Sequence, residues 1–171
     1  MIDDSNNSPR QPTHDTPPDE ATAGVGDDGL ITVRSGLPVP DTIERLAATV
    51  VSRGMQVFAR IDHAGQAAGV GLALRPTELL IFGNPSGGTP LMQDKQTAGL
   101  DLPLKALAWE DADGAVWLTY NDPAWLARRH GLGAGSRAAV AAMSAMSAAV
   151  ARPGAQDQDR ARDTGARAKS R

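Results

Sequence analysis

Leu79-Leu80-Ile81-Phe82-Gly83-Asn84-Pro85-Ser86-Gly87-Gly88-Thr89-Pro90-Leu91-Met92 is the stretch whose reading decides the fold, because an apolar run stops in a glycine-rich turn and meets a helix start. Thr89 is placed as an N-cap, with Pro90 at the first helical position, where its missing N–H costs nothing. A strand therefore feeds a helix. Such a junction leaves several backbone N–H groups unpaired and aimed at one point, which suits an anion or an oriented ligand. It is equally the form of a tight connection, in which the glycines let the chain turn and Pro85 stiffens it.

Gly83 and Gly88 have the spacing of the two glycines in the phosphate-binding loop of nucleotide hydrolases. That loop continues with Lys and then Ser or Thr, whereas this chain continues with Thr89-Pro90. The cation and the Mg²⁺-binding hydroxyl are both misplaced, which argues against a nucleotide hydrolase. A weaker anion or carboxylate site on the backbone of Ser86 to Thr89 stays open.

Working outward, Leu30 to Arg34 alternates like a half-buried strand. Asp41 has Glu44 three residues on, in the manner of a capping box, and Ile43, Leu46, Ala47, Val50 and Val51 form an apolar stripe at helical spacing. Gly54 is placed to end that helix in the left-handed region, and Met55 to Ile61 then alternates as a second strand. His63 to Gly71 is compatible with a short helix or a loop. Leu72 to Leu74 and Leu79 to Phe82 read as strands flanking a turn at Arg75-Pro76-Thr77-Glu78. Leu104 to Trp109 and Ala115 to Tyr120 are two strands joined through Asp113-Gly114, a strong hairpin signal. Asn121-Asp122-Pro123 caps a helix that runs to His130-Gly131. An Ala-rich helix over about Ser136 to Ala151 carries Val140, Met143, Met146 and Val150 on one stripe and packs as a lid or at an interface.

The ends differ from this core. Residues 1 to 28 hold seven acidic side chains against Arg10, four prolines and many small polar residues, so they read as a disordered acidic arm. Residues 152 to 171 hold six basic side chains against three aspartates and read as a disordered basic tail. With a net charge of −3 for the whole chain, the middle is electrically neutral. That leaves no electrostatic reason to expect nucleic acid or an anionic membrane surface as a partner. The absence of cysteine excludes disulfides, thiolate metal sites and cysteine nucleophiles. No apolar run approaches the ~20 residues of a bilayer span and no signal peptide is apparent, so a cytoplasmic location is expected.

Catalytic constellations are thin. His63 and His130 sit at element ends and would need Asp62, Asp122 or Glu110 to complete a metal or acid–base set. A His before Gly at a helix end serves first as a C-terminal partner, and Asp122 before Pro123 serves first as an N-cap. Trp109, Trp117, Trp125 and Tyr120 are expected to fill the core between sheet and helix, with stacking on a flat ligand as the alternative. Met92, Met143 and Met146 are core fillers or soft interface residues.

Phe82-Gly83-Asn84-Pro85 with Gly88-Thr89-Pro90-Leu91-Met92, then Leu104-Lys105-Ala106-Leu107-Ala108-Trp109-Glu110, Trp117-Leu118-Thr119-Tyr120-Asn121-Asp122-Pro123 and Arg128-Arg129-His130-Gly131-Leu132 together resemble the DUF302 family. The likeness covers roughly residues 30 to 150. It implies a single α+β domain of the TT1751-like type, a mainly antiparallel sheet with helices packed on one side in a TBP-like arrangement, often as a homodimer. It brings no reaction and no cofactor.

The expectation is a small-molecule or anion binding domain over residues 29 to 151. Its site would be the loop Gly83, Asn84, Pro85, Ser86, Gly87, Gly88 and Thr89, with His63, Lys105, Tyr120, Asp122 and His130 around it. The alternative is a homodimeric interaction module whose sheet or final helix is the working surface. A metal-dependent or hydrolytic enzyme comes third, because no catalytic set is visible.

Overall fold

Five antiparallel strands in the order β1-β5-β4-β3-β2 make one sheet in the computed structural model, which describes residues 27–151, the side chains of 146–151 excepted. The strands are β1 (Leu30–Ser35), β2 (Gln56–Asp62), β3 (Thr77–Gly83), β4 (Leu104–Glu110) and β5 (Val116–Asn121). The helices are α1 (Val39–Ser52), α2 (His63–Gly69), α3 (Pro85–Asp94), α4 (Pro123–His130) and α5 (Arg137–Ala151), with short 3₁₀ turns at Gln96–Leu100 and Ala134–Ser136. The expected acidic arm and basic tail lie outside the described residues, except for Asp27 and Asp28 in a turn where Asp28 accepts the Leu30 N–H at 3.0 Å.

Alternation along the strands sorts their side chains onto two faces. Leu80 and Phe82 of β3, Leu104, Ala106 and Ala108 of β4, and Val116 and Leu118 of β5 face α1 and bury Val39, Ile43, Leu46 and Val50 against them. The expected stripe on α1 is correct but for Val51, which is 59% exposed because it falls one position past the buried face. The helix also begins earlier than its Asp41-Glu44 pattern suggested. Pro38 is the N-cap, Asp41 lies in the first turn, and no side chain closes the cap. Pro40 is tolerated at the second helical position for the same reason as at the first, since that N–H has no intrahelical acceptor. At the other end Gly54 has φ +73° and donates to Val51 at 2.9 Å, as its position implied.

Leu72 to Leu74 do not form the expected strand. Leu72 and Leu74 are 67% and 50% exposed, with no neighbouring strand assigned to them, and the pairing of β3 starts only at Thr77. Residues 63–69 resolve as helix, begun by the Asp62 carboxylate accepting the Gly65 N–H at 2.8 Å.

Trp117 is buried as expected, at 7% exposed, but it and Trp109 do not lie between sheet and helix. Trp109 and Trp117 are cross-strand partners on the face away from α1, stacked with centroids 6.5 Å apart, because alternation gives the α1 face to Ala108 and Leu118. The Trp109 indole donates to Thr119 Oγ1 at 2.9 Å and the Trp117 indole to Asp111 Oδ2 at 2.7 Å. Trp125 of α4 lies over Gly29, where a Cβ would come within 2.2 Å of the ring.

Asp111 also accepts the backbone N–H groups of Asp113 and Ala115, closing the β4–β5 hairpin through Gly114 at φ +78°. These bonds, the Trp117 indole first, hold its carboxyl below the ordinary 3.8. A depressed folded-state pKa adds stability that is present above the unfolded value and is lost as pH falls through the folded one. Asp111→Asn is therefore expected to flatten the loss of stability on acidification below about pH 4. Urea melts of both proteins at several acidic pH values measure this, and parallel slopes would remove Asp111 from the acid response.

Candidate functional site

At Gly83 the chain leaves the sheet beside α1's C-terminal end, and Asn84 caps α3, its side chain accepting the Ser86 N–H at 2.9 Å. The helix thus starts at Pro85, one turn before the Thr89-Pro90 start that the sequence suggested. Asn84-Pro85 is itself an N-cap followed by proline, so the same signature occurs twice and the upstream copy is used. Pro90 then lies inside the helix.

This start changes the chemistry of the loop. Gly87 N–H and Gly88 N–H both donate to the Asn84 carbonyl at 3.0 Å, Ser86 N–H is taken by Asn84 Oδ1, and Pro85 has no N–H. The donors expected to converge on an anion are engaged within the helix's own first turn. What the glycines provide instead is room. No atom lies within 4 Å of a Cβ built at Gly87, and one at Gly88 would touch only Leu102 at 3.8 Å.

That room is part of a cavity of about 450 Å³. Gly83, Leu104 and the Leu102-Pro103 segment form its floor, Met55 and Phe58 one wall, and Pro85, Gly87, Gly88, Thr89 and Met92 of α3 another. Ala139, Ala142 and Met143 of α5 also line it, and of Val140 and Met143, the described side chains of the stripe expected to pack as a lid or at an interface, Met143 is the one that does so. Small residues on both helices keep them from filling the space between them. Among the described residues the polar side chains of the lining are Arg53, Asn84 and Thr89, of which Arg53 is ionisable.

The start of α5 is joined to α3 by a carboxylate. Asp94, at the end of α3, accepts Ser136 Oγ at 2.6 Å and Gly133 N–H at 2.7 Å, just before α5 begins. Those two bonds, Ser136's first, lower its pKa.

Of the residues expected at a site, Gly83, Asn84, Pro85, Gly87, Gly88 and Thr89 line the cavity, and Ser86 is exposed on the same first turn. The rest do not line it. His63 opens α2, at the far end of β2 from Met55 and Phe58. Lys105 lies on the sheet's other face, its Nζ 3.5 Å from the Leu100 carbonyl. Tyr120 is half-buried, and that burial first and Asp122 second raise its pKa. Asp122 caps α4, accepting from Ala124 and Trp125 at 3.0 Å. His130 holds Asp101 at 2.6 Å and Thr97 at 3.3 Å, joining α4 to the 3₁₀ turn after α3. Among the described residues no three His, Asp or Glu side chains gather as metal ligands.

Sequence reasoning missed Arg53, Met55, Phe58, Leu102, Pro103, Leu104 and the two alanines of α5. Leu104 apart, they belong to none of the motifs, and only folding brings them around one space. It also missed an ion-pair cluster outside the cavity, in which Arg60 of β2 pairs with Glu78 of β3 and, at 3.0 Å, with Glu44 of α1. Glu78 first, together with Glu44, raises the Arg60 pKa.

The profile of a domain of unknown function, DUF302, matches residues 31–152. Curated relatives named fluoride-specific ion channel FluC 1 from Brucella suis and Brucella abortus, and FluC 2 from Brucella melitensis, are each 61% identical over 121 residues. The match covers 71% of this chain but 48% of the first protein and 45% of the other two, so the chain spans about half the length of the curated relatives it matches. The crystal structure of an uncharacterized conserved DUF302 protein from Bacillus stearothermophilus superposes with a TM-score of 0.64 at 21% identity, over 72% of this chain and 95% of that one.

Proposed function

The chain belongs to the DUF302 family, and we propose that it is a small-molecule binding domain whose ligand occupies the cavity between α3, α5 and the end of the sheet. The observation that carries this reading is the 450 Å³ space with an almost wholly apolar lining. Small-molecule sites are concave, mainly apolar and of this size, with a few polar groups to orient the ligand. The expected glycine-rich loop remains the wall of the site, with the ligand chemistry changed from an anion on backbone amides to an apolar body beside them.

Octanol is a suitable neutral probe. Titrated into the ¹³C-methyl-labelled protein, it is expected to shift the methyls of Met55, Met92 and Met143 saturably. Absence of saturable shifts at those three methionines would refute the ligand-binding reading.

A second reading, an interaction module, is favoured by the longer relatives that contain this domain. No helix of the described residues is long and apolar enough to cross a membrane. Nor does the cavity suit fluoride, since an apolar lining cannot replace the hydration of a small ion. The surface that fits this reading is the outer sheet face, where Leu79, Ile81 and Leu107 are only half-buried. If it pairs with a second copy, light scattering would give twice the 17.8 kDa chain mass, and Leu107→Lys would return it to the monomer.

A further inference from the structure

We infer that the cavity takes a monoanionic amphiphile, an aliphatic or arylalkyl carboxylate, with its tail between α3 and α5 and its carboxylate at Arg53. This rests on the reading of the cavity as the ligand site and names the class of ligand.

Arg53 follows the last residue of α1, where the chain turns through Gly54 into β2, and it is exposed while still contributing to the lining. The other ionisable residues of the described chain stand elsewhere. Among the described residues no Asp, Glu, Lys or His lines the cavity, so Arg53 is the ionisable residue of an otherwise almost wholly apolar lining. Among the described residues no ion pair or side-chain hydrogen bond engages its guanidinium, whereas Arg60 is held by Glu44 and Glu78 and Arg129 by Asp101.

This combination discriminates. A neutral apolar ligand gains nothing from Arg53, and a dianion or polyanion finds one cation and no further donors. A cation meets repulsion at the entrance. A single carboxylate matches the planar fork of an arginine and can remain solvated on its outer side while the tail leaves water. Asn84 and Thr89, the remaining polar side chains, stand on α3's first turns and can orient a head group by hydrogen bonds without adding charge.

The test titrates octanoate and octanol into the wild type and into Arg53→Gln and Arg53→Lys, following the Met55, Met92 and Met143 methyls. Octanoate is expected to bind about fivefold more weakly to Arg53→Gln, the upper end of what a solvent-facing ion pair supplies, with octanol unchanged. Arg53→Lys should restore part of the loss, and added salt should weaken octanoate binding to the wild type and to Arg53→Lys but not to Arg53→Gln. Octanol binding with octanoate indifferent to Arg53→Gln and to salt would overturn the carboxylate assignment and leave the cavity as a neutral-ligand site. If neither compound moves the methyls, the ligand-binding reading itself falls. Methyl shifts that depend on protein concentration alone would assign the space to a second copy of the chain and overturn the inference.

Discussion

Leu46→Ala is expected to lower folding stability by about 2 to 5 kcal/mol, the range for truncating a leucine in a core that cannot collapse around the gap. Leu46 is 3% exposed and lies in the cluster formed by Ile43, Val50, Leu80, Phe82 and Ala106. Its neighbours are a helix locked by Gly54 and a sheet with antiparallel partners on both sides of β3 and β4, so neither surface moves easily into a void. Val51→Ala is the control. With its side chain outside the buried face, the change should fall within about 0.5 kcal/mol. Chemical denaturation of the two variants measures both numbers, and equal losses would show that the helix is rotated from the placement described.

Gly88→Val is expected to abolish binding of octanol and octanoate alike while leaving the fold intact. A Cβ at this position meets only Leu102 at an ordinary 3.8 Å, so the substitution is accommodated sterically and its branches extend into the cavity. Valine also has a somewhat better helical propensity than glycine, so stability should change by less than about 1 kcal/mol. Gly88→Ala, adding the Cβ alone, should raise stability by about 0.4 to 1 kcal/mol and leave part of the space open. Methyl titrations with thermal melts separate the cases. A Gly88→Val protein that is folded and binds both probes as the wild type does would place the ligand elsewhere. Should Gly88→Val unfold, Ala142→Leu blocks the same space from the α5 side and carries the same expectation.

Loss of the Asp94 carboxylate acts on the same site from a distance. Asp94→Ala removes the acceptor for Ser136 Oγ and Gly133 N–H, freeing the start of α5 from α3. Weaker octanol binding with the α3 cap unaltered is the expected result in the same titration. Unchanged binding would mean that α5 is seated by its packing against α4 and α1 alone.

Local chemistry made much of this protein legible in its sequence. Alternation marked β1 and β2, an apolar run β3, Asp113-Gly114 the β4–β5 hairpin and Gly54 the end of α1. Asp122-Pro123 and Gly131 marked the two ends of α4, since a cap is recognised by groups within a few residues of one another. The loop from Gly83 to Thr89 was legible as a place where a strand hands over to a helix, and all but Ser86 of its residues line the cavity.

Tertiary structure decided what competes over distance. Two N-cap-and-proline signatures, Asn84-Pro85 and Thr89-Pro90, were locally equivalent, and the choice of the first withdrew the amides that an anion would have needed. Leu72 to Leu74 had a strand's composition but found no neighbour to pair with, and a strand exists only by its partner's hydrogen bonds. Alternation defined two faces without saying which one α1 would cover, so Trp109 and Trp117 came to lie opposite the core that their size suggested. The cavity is the extreme case. Arg53, Phe58, Leu102 and Ala142 are scattered through the chain with no shared spacing, and what joins them is a volume that appears only when three helices and the end of a sheet fail to fill the space between them.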